Sequence, residues 1–180
     1  MSALVFVELD EAKAKKSSLE AVSYGKEVAG DVTVIIFGEM DGGQADVIGA
    51  AGASKLLHVT DEKLATPNIM AYSSAIAEAM NSGSHSLLLL AKSSLGDPVS
   101  ARVAIKTGAT LAANVSELPA GDTVKKSIYT GKAFANTKLK GEKRIISIKK
   151  NAVEVKTDGA SPSVEGFSPA INDSDFKVTV

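Results

Sequence analysis

His58 and His85 are the only imidazoles in the chain, 26 residues lie between them, and no cysteine accompanies them. That inventory excludes disulfides, thiolate nucleophiles, iron–sulfur ligation and cysteine-ligated zinc, and without HExxH spacing two histidines do not make a zinc site. His58 falls inside the apolar run Leu56-Leu57-His58-Val59 and reads as a partly satisfied sheet histidine, whereas His85 follows Gly83 and Ser84 in a loop. No serine stands in a GxSxG elbow and the acids are scattered over surface positions, so a Ser/His/Asp triad has no anchor. Neither GxGxxG nor GxxxxGK[ST] occurs. Two loops could still meet a phosphate: residues 38–43, and Lys92-Ser93-Ser94-Leu95-Gly96-Asp97, which leads into a helix start. Helix N-termini attract anions, but Asp97 places a carboxylate where a phosphate would sit. The loop is therefore expected to be a plain strand-to-helix connection. Tyr129, before Thr130-Gly131, reads as a packing aromatic beside a turn. No catalytic, cofactor-binding or metal-ligating residue is assigned.

Such residues need a scaffold, and 180 residues with 44% hydrophobic and 23% charged side chains can bury one substantial core. The net charge is −1 and only Arg102 and Arg144 are arginines, which disfavours binding to nucleic acid through phosphate neutralisation. The longest apolar run, residues 87–91, is far short of the roughly 20 residues a bilayer-crossing helix needs. The start, MSALVFVELDE, carries acids where a signal peptide carries positive charge. A cytoplasmic protein is expected.

Five apolar runs, at residues 4–9, 32–37, 56–59, 87–91 and 110–115, alternate with stretches able to form helices. Continuous apolar runs suit strands buried on both faces, and the intervening helices supply right-handed crossovers, so the fold class is α/β with a doubly wound, mainly parallel sheet. Ser17, three residues before Glu20, predicts a capping box, with Gly30-Asp31 ending that helix. Thr66-Pro67 predicts the cap and first position of a helix ending near Gly83, and Asp97-Pro98 opens a shorter one ending at Gly108. A further short helix is expected over residues 44–51.

From about residue 122 to 156 short alternating runs separated by Thr130-Gly131, Lys140-Gly141 and Lys150-Asn151 predict an antiparallel meander of four strands, at 124–129, 132–139, 144–148 and 152–156. Ala133, Ala135, Thr137 and Leu139 should face one way and Lys132, Phe134, Asn136 and Lys138 the other. Residues 125–150 hold nine basic residues against Glu142 alone, a local excess of eight positive charges. That surface is a solvated sheet face or a docking face for an acidic partner. Residues 1–156 are read as one α/β domain, and residues 157–180 as a linker, Ser-, Gly- and Pro-rich over 157–170, followed by the first strand of a segment cut at a domain boundary.

The order of these segments resembles the N-terminal domain of the electron transfer flavoprotein α subunit. The likeness is carried by Leu4-Val5-Phe6-Val7-Glu8, by Gly52-Ala53-Ser54-Lys55-Leu56-Leu57-His58-Val59-Thr60-Asp61, by Gly96 leading to Arg102-Val103-Ala104, by Ile128-Tyr129-Thr130-Gly131-Lys132-Ala133 and by Arg144-Ile145-Ile146-Ser147-Ile148. Asp97, Ala101 and Lys132 depart from the lysine, proline and asparagine usual there. The resemblance implies a Rossmann-like, adenine nucleotide hydrolase-like three-layer fold. It also implies a heterodimer with a β subunit, which carries electrons from flavin dehydrogenases, such as the acyl-CoA dehydrogenases of fatty acid β-oxidation, to a quinone reductase. FAD in that family belongs chiefly to a C-terminal α domain and the β subunit, so no FAD is expected on this chain and no enzymatic activity of its own. A small nucleotide-binding protein of the universal-stress type shares the strand-helix grammar and is the alternative.

Overall fold

The computed structural model describes residues 2–177. Strand β1 (Ser2–Phe6) lies at the centre, and a small hairpin, β2 (Leu9–Asp10) and β3 (Lys13–Ala14), follows it. Then come α1 (Lys16–Ala29), β4 (Asp31–Phe37), α2 (Gln44–Ala50), β5 (Lys55–Val59), α3 (Ile69–Ser82), β6 (Leu87–Ala91), α4 (Gly96–Thr107) and β7 (Thr110–Val115). The rest is strand and loop: β8 (Thr123–Ile128), β9 (Ala133–Lys138), β10 (Arg144–Ile148) and β11 (Ser163–Gly166). One nine-stranded sheet has the order β11-β5-β4-β1-β6-β10-β7-β8-β9. Every pair from β11 to β7 is parallel, and only β7-β8 and β8-β9 are antiparallel.

The apolar runs become strands because both sheet faces are covered. Val5, Val34, Leu89 and Ile146 pack under α1 and α2, while Leu4, Ile35, Leu88 and Ile145 pack under α3 and α4. Helix ends follow backbone chemistry. Gly30 and Gly108 close α1 and α4 with positive φ, 75° and 67°, and Gly83 closes α3. Helix starts depart from expectation. Asn68, not Thr66, caps α3, accepting from Met70 N at 3.0 Å and Ala71 N at 3.1 Å. Helix α4 begins two residues early, at Gly96, with Leu95 and not Asp97 at the cap position. Ser17 forms no capping box: α1 starts at Lys16, and the Glu20 carboxylate instead accepts from Asn151 N at 2.7 Å, 131 residues away.

The expected meander is half right. β8 and β9 form an antiparallel hairpin around Thr130-Gly131, and the alternation in β9 is as anticipated, Phe134 and Lys138 being exposed and Ala133 and Ala135 half-buried. The strand at Arg144–Ile148, however, is parallel and inserts between β6 and β7, in register with Leu87–Ala91. Residues 152–156 form no strand, and Ala152, Val153 and Val155 pack against the α1 side of the core. What lets β7 serve parallel β10 and antiparallel β8 is a register shift between Ile146 and Ile148. There Asn114 adopts φ 63° and its amide donates to Ser127 O at 2.5 Å. A bulge residue in the left-handed region re-aims a strand, and asparagine tolerates that region better than branched residues do.

The expected linker is a strap. Gly159 N donates to Ala50 O at 3.0 Å, β11 pairs with β5 from Ser163↔Lys55 to Gly166↔His58, and Ala170 N donates to Glu78 Oε2 at 2.8 Å. The chain thus passes from the α1 layer round the β5 edge to the α3 layer, where Phe167, Ile171 and Phe176 pack. The strand expected at 176–180 begins in a 3-10 turn at Asp173–Phe176, and its last three residues lie outside the described residues. Clearance sets the strap's path. A Cβ on Gly49 would lie 2.5 Å from both Ala160 O and Pro162 Cδ, distances no real side chain tolerates. Gly49→Val is expected to lift the strap and raise the rate of tryptic cleavage after Lys156 by about tenfold, while the sheet keeps its thermal transition. Equal cleavage rates in the two proteins would show that the strap does not depend on this contact.

Candidate functional site

Chain order reverses at β1: β4 lies on one side of it and β6 on the other. Ligands in open α/β sheets bind in the crevice at the carboxyl ends of the strands at such a point. Here that crevice is lined by Phe6, Glu8, Lys15, Phe37, Tyr72 and Leu95, among others. Its floor is aromatic. The Phe37 and Tyr72 rings stack with centroids 4.0 Å apart, and Phe6 meets both edge-on at 5.8 and 6.0 Å. The Tyr72 hydroxyl donates to Leu64 O at 2.8 Å, and burial pushes its pKa up to about 12, which keeps it neutral.

The polar end of the crevice is Glu8, only 5% exposed. Its carboxylate pairs with Lys15 Nζ at 3.0 Å and accepts from the Ser93 hydroxyl. Ser93 Oγ in turn accepts from Gly96 N, in the first turn of α4, at 2.7 Å. Next to it Asp97 pairs with Lys92 Nζ at 2.7 Å and accepts from Ser147 Oγ at 3.0 Å. Residues 92–95 connect β6 to α4, and the acid at the helix start is held by Lys92 of the same loop and by Ser147 of β10. Glu8 was missed as a site residue. Its signal is an acid placed directly after the first buried strand, and which loop it would meet depends on strand order.

The other candidates fall elsewhere. His58 is a satisfied sheet histidine, its Nε2 bonded to Gly38 O at 2.7 Å, which ties β5 to the loop after β4. His85 is buried beside the start of β1, where Ser2 Oγ bonds its Nδ1. Burial pushes its pKa down, so the ring stays neutral. His58 and His85 are not brought together with Glu8 as a reacting set, and among the described residues no three His, Asp or Glu side chains converge as a metal site would require. Tyr129 is not the packing aromatic expected: it is 78% exposed at the hairpin tip, with φ 47°. Arg102 lies exposed on the outer side of α4. No helix among the described residues is long and apolar enough to cross a membrane.

The geometry is that of a doubly wound sheet whose switch-point crevice holds an internal ion pair, with a basic hairpin at one edge. Comparison with known proteins agrees with that architecture. The family model described as the electron transfer flavoprotein domain matches residues 3–172. The electron transfer flavoprotein subunit alpha of Syntrophomonas wolfei is 27% identical over 179 residues, spanning 98% of this chain and 56% of that protein. That of Mycobacterium leprae is 27% identical over 184 residues, with 98% and 56% covered. The probable mitochondrial α subunit of Caenorhabditis elegans is 24% identical over 170 residues, with 94% and 51% covered. The chain spans about half the length of the curated relatives it matches. With a family match over nearly its whole length laid on a sheet of the corresponding class, the chain belongs to the electron transfer flavoprotein domain family.

Proposed function

We propose that this chain is the scaffold domain of an electron transfer flavoprotein α subunit, an electron-carrier component without catalysis of its own. The observation that carries the reading is the family match over residues 3–172 together with α-subunit relatives about twice as long. The complete carrier takes electrons from flavin dehydrogenases such as acyl-CoA dehydrogenases and passes them to a quinone reductase, in the cytoplasm. The flavin supplies that redox chemistry, and the protein positions it.

The residues of this chain do not fit FAD. Its diphosphate would need donors at the α4 start, where the carboxylates of Glu8 and Asp97 already stand. We therefore assign the flavin to the part of the relatives that this chain does not span and to the β subunit. Docking to a β subunit is assigned to the β8-β9 hairpin. Val124 and Leu139 on its inner face belong to the core, but Ala133 and Ala135 beyond them are only half-buried, and Phe134 on the outer face is 53% exposed. Two measurements test the reading. Equilibrium dialysis of residues 1–180 against FAD is expected to show no stoichiometric retention, and size-exclusion chromatography with an electron transfer flavoprotein β subunit is expected to show a one-to-one complex. Stoichiometric flavin on the chain alone would sink the assignment of FAD elsewhere. Failure to co-elute would sink the scaffold role.

A further inference from the structure

Strand β9 ends the nine-stranded sheet, and its outer edge meets no other strand among the described residues. Which of its backbone groups lie on that edge follows from the pairing with β8. Antiparallel pairs alternate between bonded and non-bonded positions, and Leu139 N donates to Asp122 O at 2.8 Å, which makes these two a bonded pair. In the same register Thr137, Ala135 and Ala133 bond to Val124, Lys126 and Ile128. The far side of β8 agrees, since Lys125 O and Ser127 O accept from Ser116 N and from the Asn114 amide, away from β9. The N–H groups of Phe134, Asn136 and Lys138 therefore point off the sheet. Alternate donors in a row are a template for one more strand.

We propose that this edge receives an extended acidic segment of the β subunit, which adds a strand beside β9. The proposal rests on the scaffold reading above and specifies how its docking surface is used. The side chains along the edge state what the segment must carry. Lys132, Phe134, Asn136 and Lys138 are exposed on one face, and Ala133, Ala135 and Thr137 are half-buried on the other. Lys125 and Arg144 have acids of their own in Glu117 and Asp122, but among the described residues no carboxylate pairs with Lys132 or Lys138. A second copy of this chain does not fit. With two β9 strands antiparallel about Ala135, Lys132 of each copy would face Lys138 of the other, and like charges directly opposite are unfavourable. Lysines on an edge strand deter such self-pairing. The same lysines attract a strand with acids at the matching positions, so they select the partner they do not repel. Phe134, 53% exposed with Lys125 Nζ 4.7 Å from its ring centroid, adds an apolar contact between the two lysines.

A proline distinguishes pairing at the edge from packing on a face. Asn136→Pro removes an N–H that makes no bond to β8 and sets a ring in the path of an added strand. The variant is expected to keep its thermal transition, while its affinity for the β subunit, measured by calorimetry, falls at least about tenfold. Asn136→Ala keeps the N–H and is expected to stay within about twofold of the parent. Lys132→Glu with Lys138→Glu is expected to weaken binding at least about tenfold through repulsion of the acidic segment. Amide hydrogen exchange followed by NMR reads the pairing without any substitution. On complex formation Phe134, Asn136 and Lys138 are expected to exchange at least about tenfold more slowly, whereas Ala133, Ala135 and Thr137 are protected beforehand by β8. Should Asn136→Pro fail to fold, the exchange measurement decides. A folded Asn136→Pro that binds like the parent overturns the proposal and leaves the scaffold reading in place. So does a complex in which those three amides exchange as fast as in the free chain. A parent chain that does not bind the β subunit removes both.

Discussion

Ala135→Glu is expected to abolish complex formation with a β subunit while leaving this chain folded, the largest single effect on association that follows from the proposed docking surface. Ala135 lies in β9, the edge strand of the nine-stranded sheet, directly opposite Lys126 of β8. It is half-buried, and with Ala133 it lies beyond the Val124 and Leu139 that anchor the hairpin to the core. In the isolated chain a glutamate there has water on one side and the Lys126 ammonium across the strand, an opposite-charge pair that sheets tolerate well. Within an interface core the same carboxylate must be desolvated, at a cost of about 3 kcal/mol or more, which corresponds to a loss of at least about a hundredfold in affinity. Size-exclusion chromatography and thermal unfolding on the same sample separate the outcomes. A lost thermal transition would place Ala135 in the chain's own core, and an intact complex would move the docking surface to the opposite face, where Phe134 and Lys125 lie 4.7 Å apart.

Leu89→Ala should produce the largest loss of stability. Leu89 is fully buried in β6, in register with Val5 of β1 and Ile146 of β10, at the middle of the parallel sheet. Above it α1 comes close because residue 25 is glycine. A Cβ there would lie 3.0 Å from Leu89 Cδ1 and 3.2 Å from Val32 Cγ2. Truncating a leucine in such a place costs about 3–5 kcal/mol, because transfer free energy is lost and a cavity remains. For a chain of this size that is a fall of about 6–20 °C in the melting temperature.

Gly25→Ala gives that prediction a second, sharper arm. Alone, the substitution gains about 0.5–1 kcal/mol of helix propensity but crowds Leu89 and Val32, and overpacking of about 1–3 kcal/mol makes the net effect destabilising. Combined with Leu89→Ala, the new methyl group enters the space the leucine vacated. The double variant is then expected to be more stable than the sum of the single losses by about 1 kcal/mol, measured by urea unfolding. Strict additivity would mean that α1 and β6 do not share this space.

The basic hairpin shows how charge and packing divide the work. Lys125 pairs with Glu117 at 2.6 Å and Arg144 with Asp122 at 2.6 Å, so part of the local positive excess is balanced by acids that precede it in the chain. Lys126, Lys132 and Lys138 lie on or beside the hairpin strands. Exposed pairs of this kind contribute less than about 1 kcal/mol each, so the charge adds little to folding.

How much of this could be read from the residues depends on the range of the interaction. The runs at residues 32–37, 56–59, 87–91 and 110–115, and that at 4–9 as far as Phe6, become the parallel strands, and Gly30, Gly83 and Gly108 end helices, because burial on two faces and backbone freedom at a helix end are local properties. His58 likewise carried its role in its neighbours. Only the tertiary structure could place Arg144–Ile148 between β6 and β7, since the composition of a strand does not name its partner or its direction. The strap shows the same limit from the other side. Residues 163–166 are all exposed, so no apolar periodicity marks a strand there, and the backbone ladder with β5, with the Lys55–Glu165 ion pair across it, orders them. Glu8 is the clearest instance. An acid after an apolar run is a surface residue in most sequences, and here it is buried because the strand order brings Ser93, 85 residues later, against it. Local sequence determined the elements and their ends. Strand order, and with it which side chains share the crevice, was decided by long-range hydrogen-bond pairing, whose free energy depends on every other strand being in place.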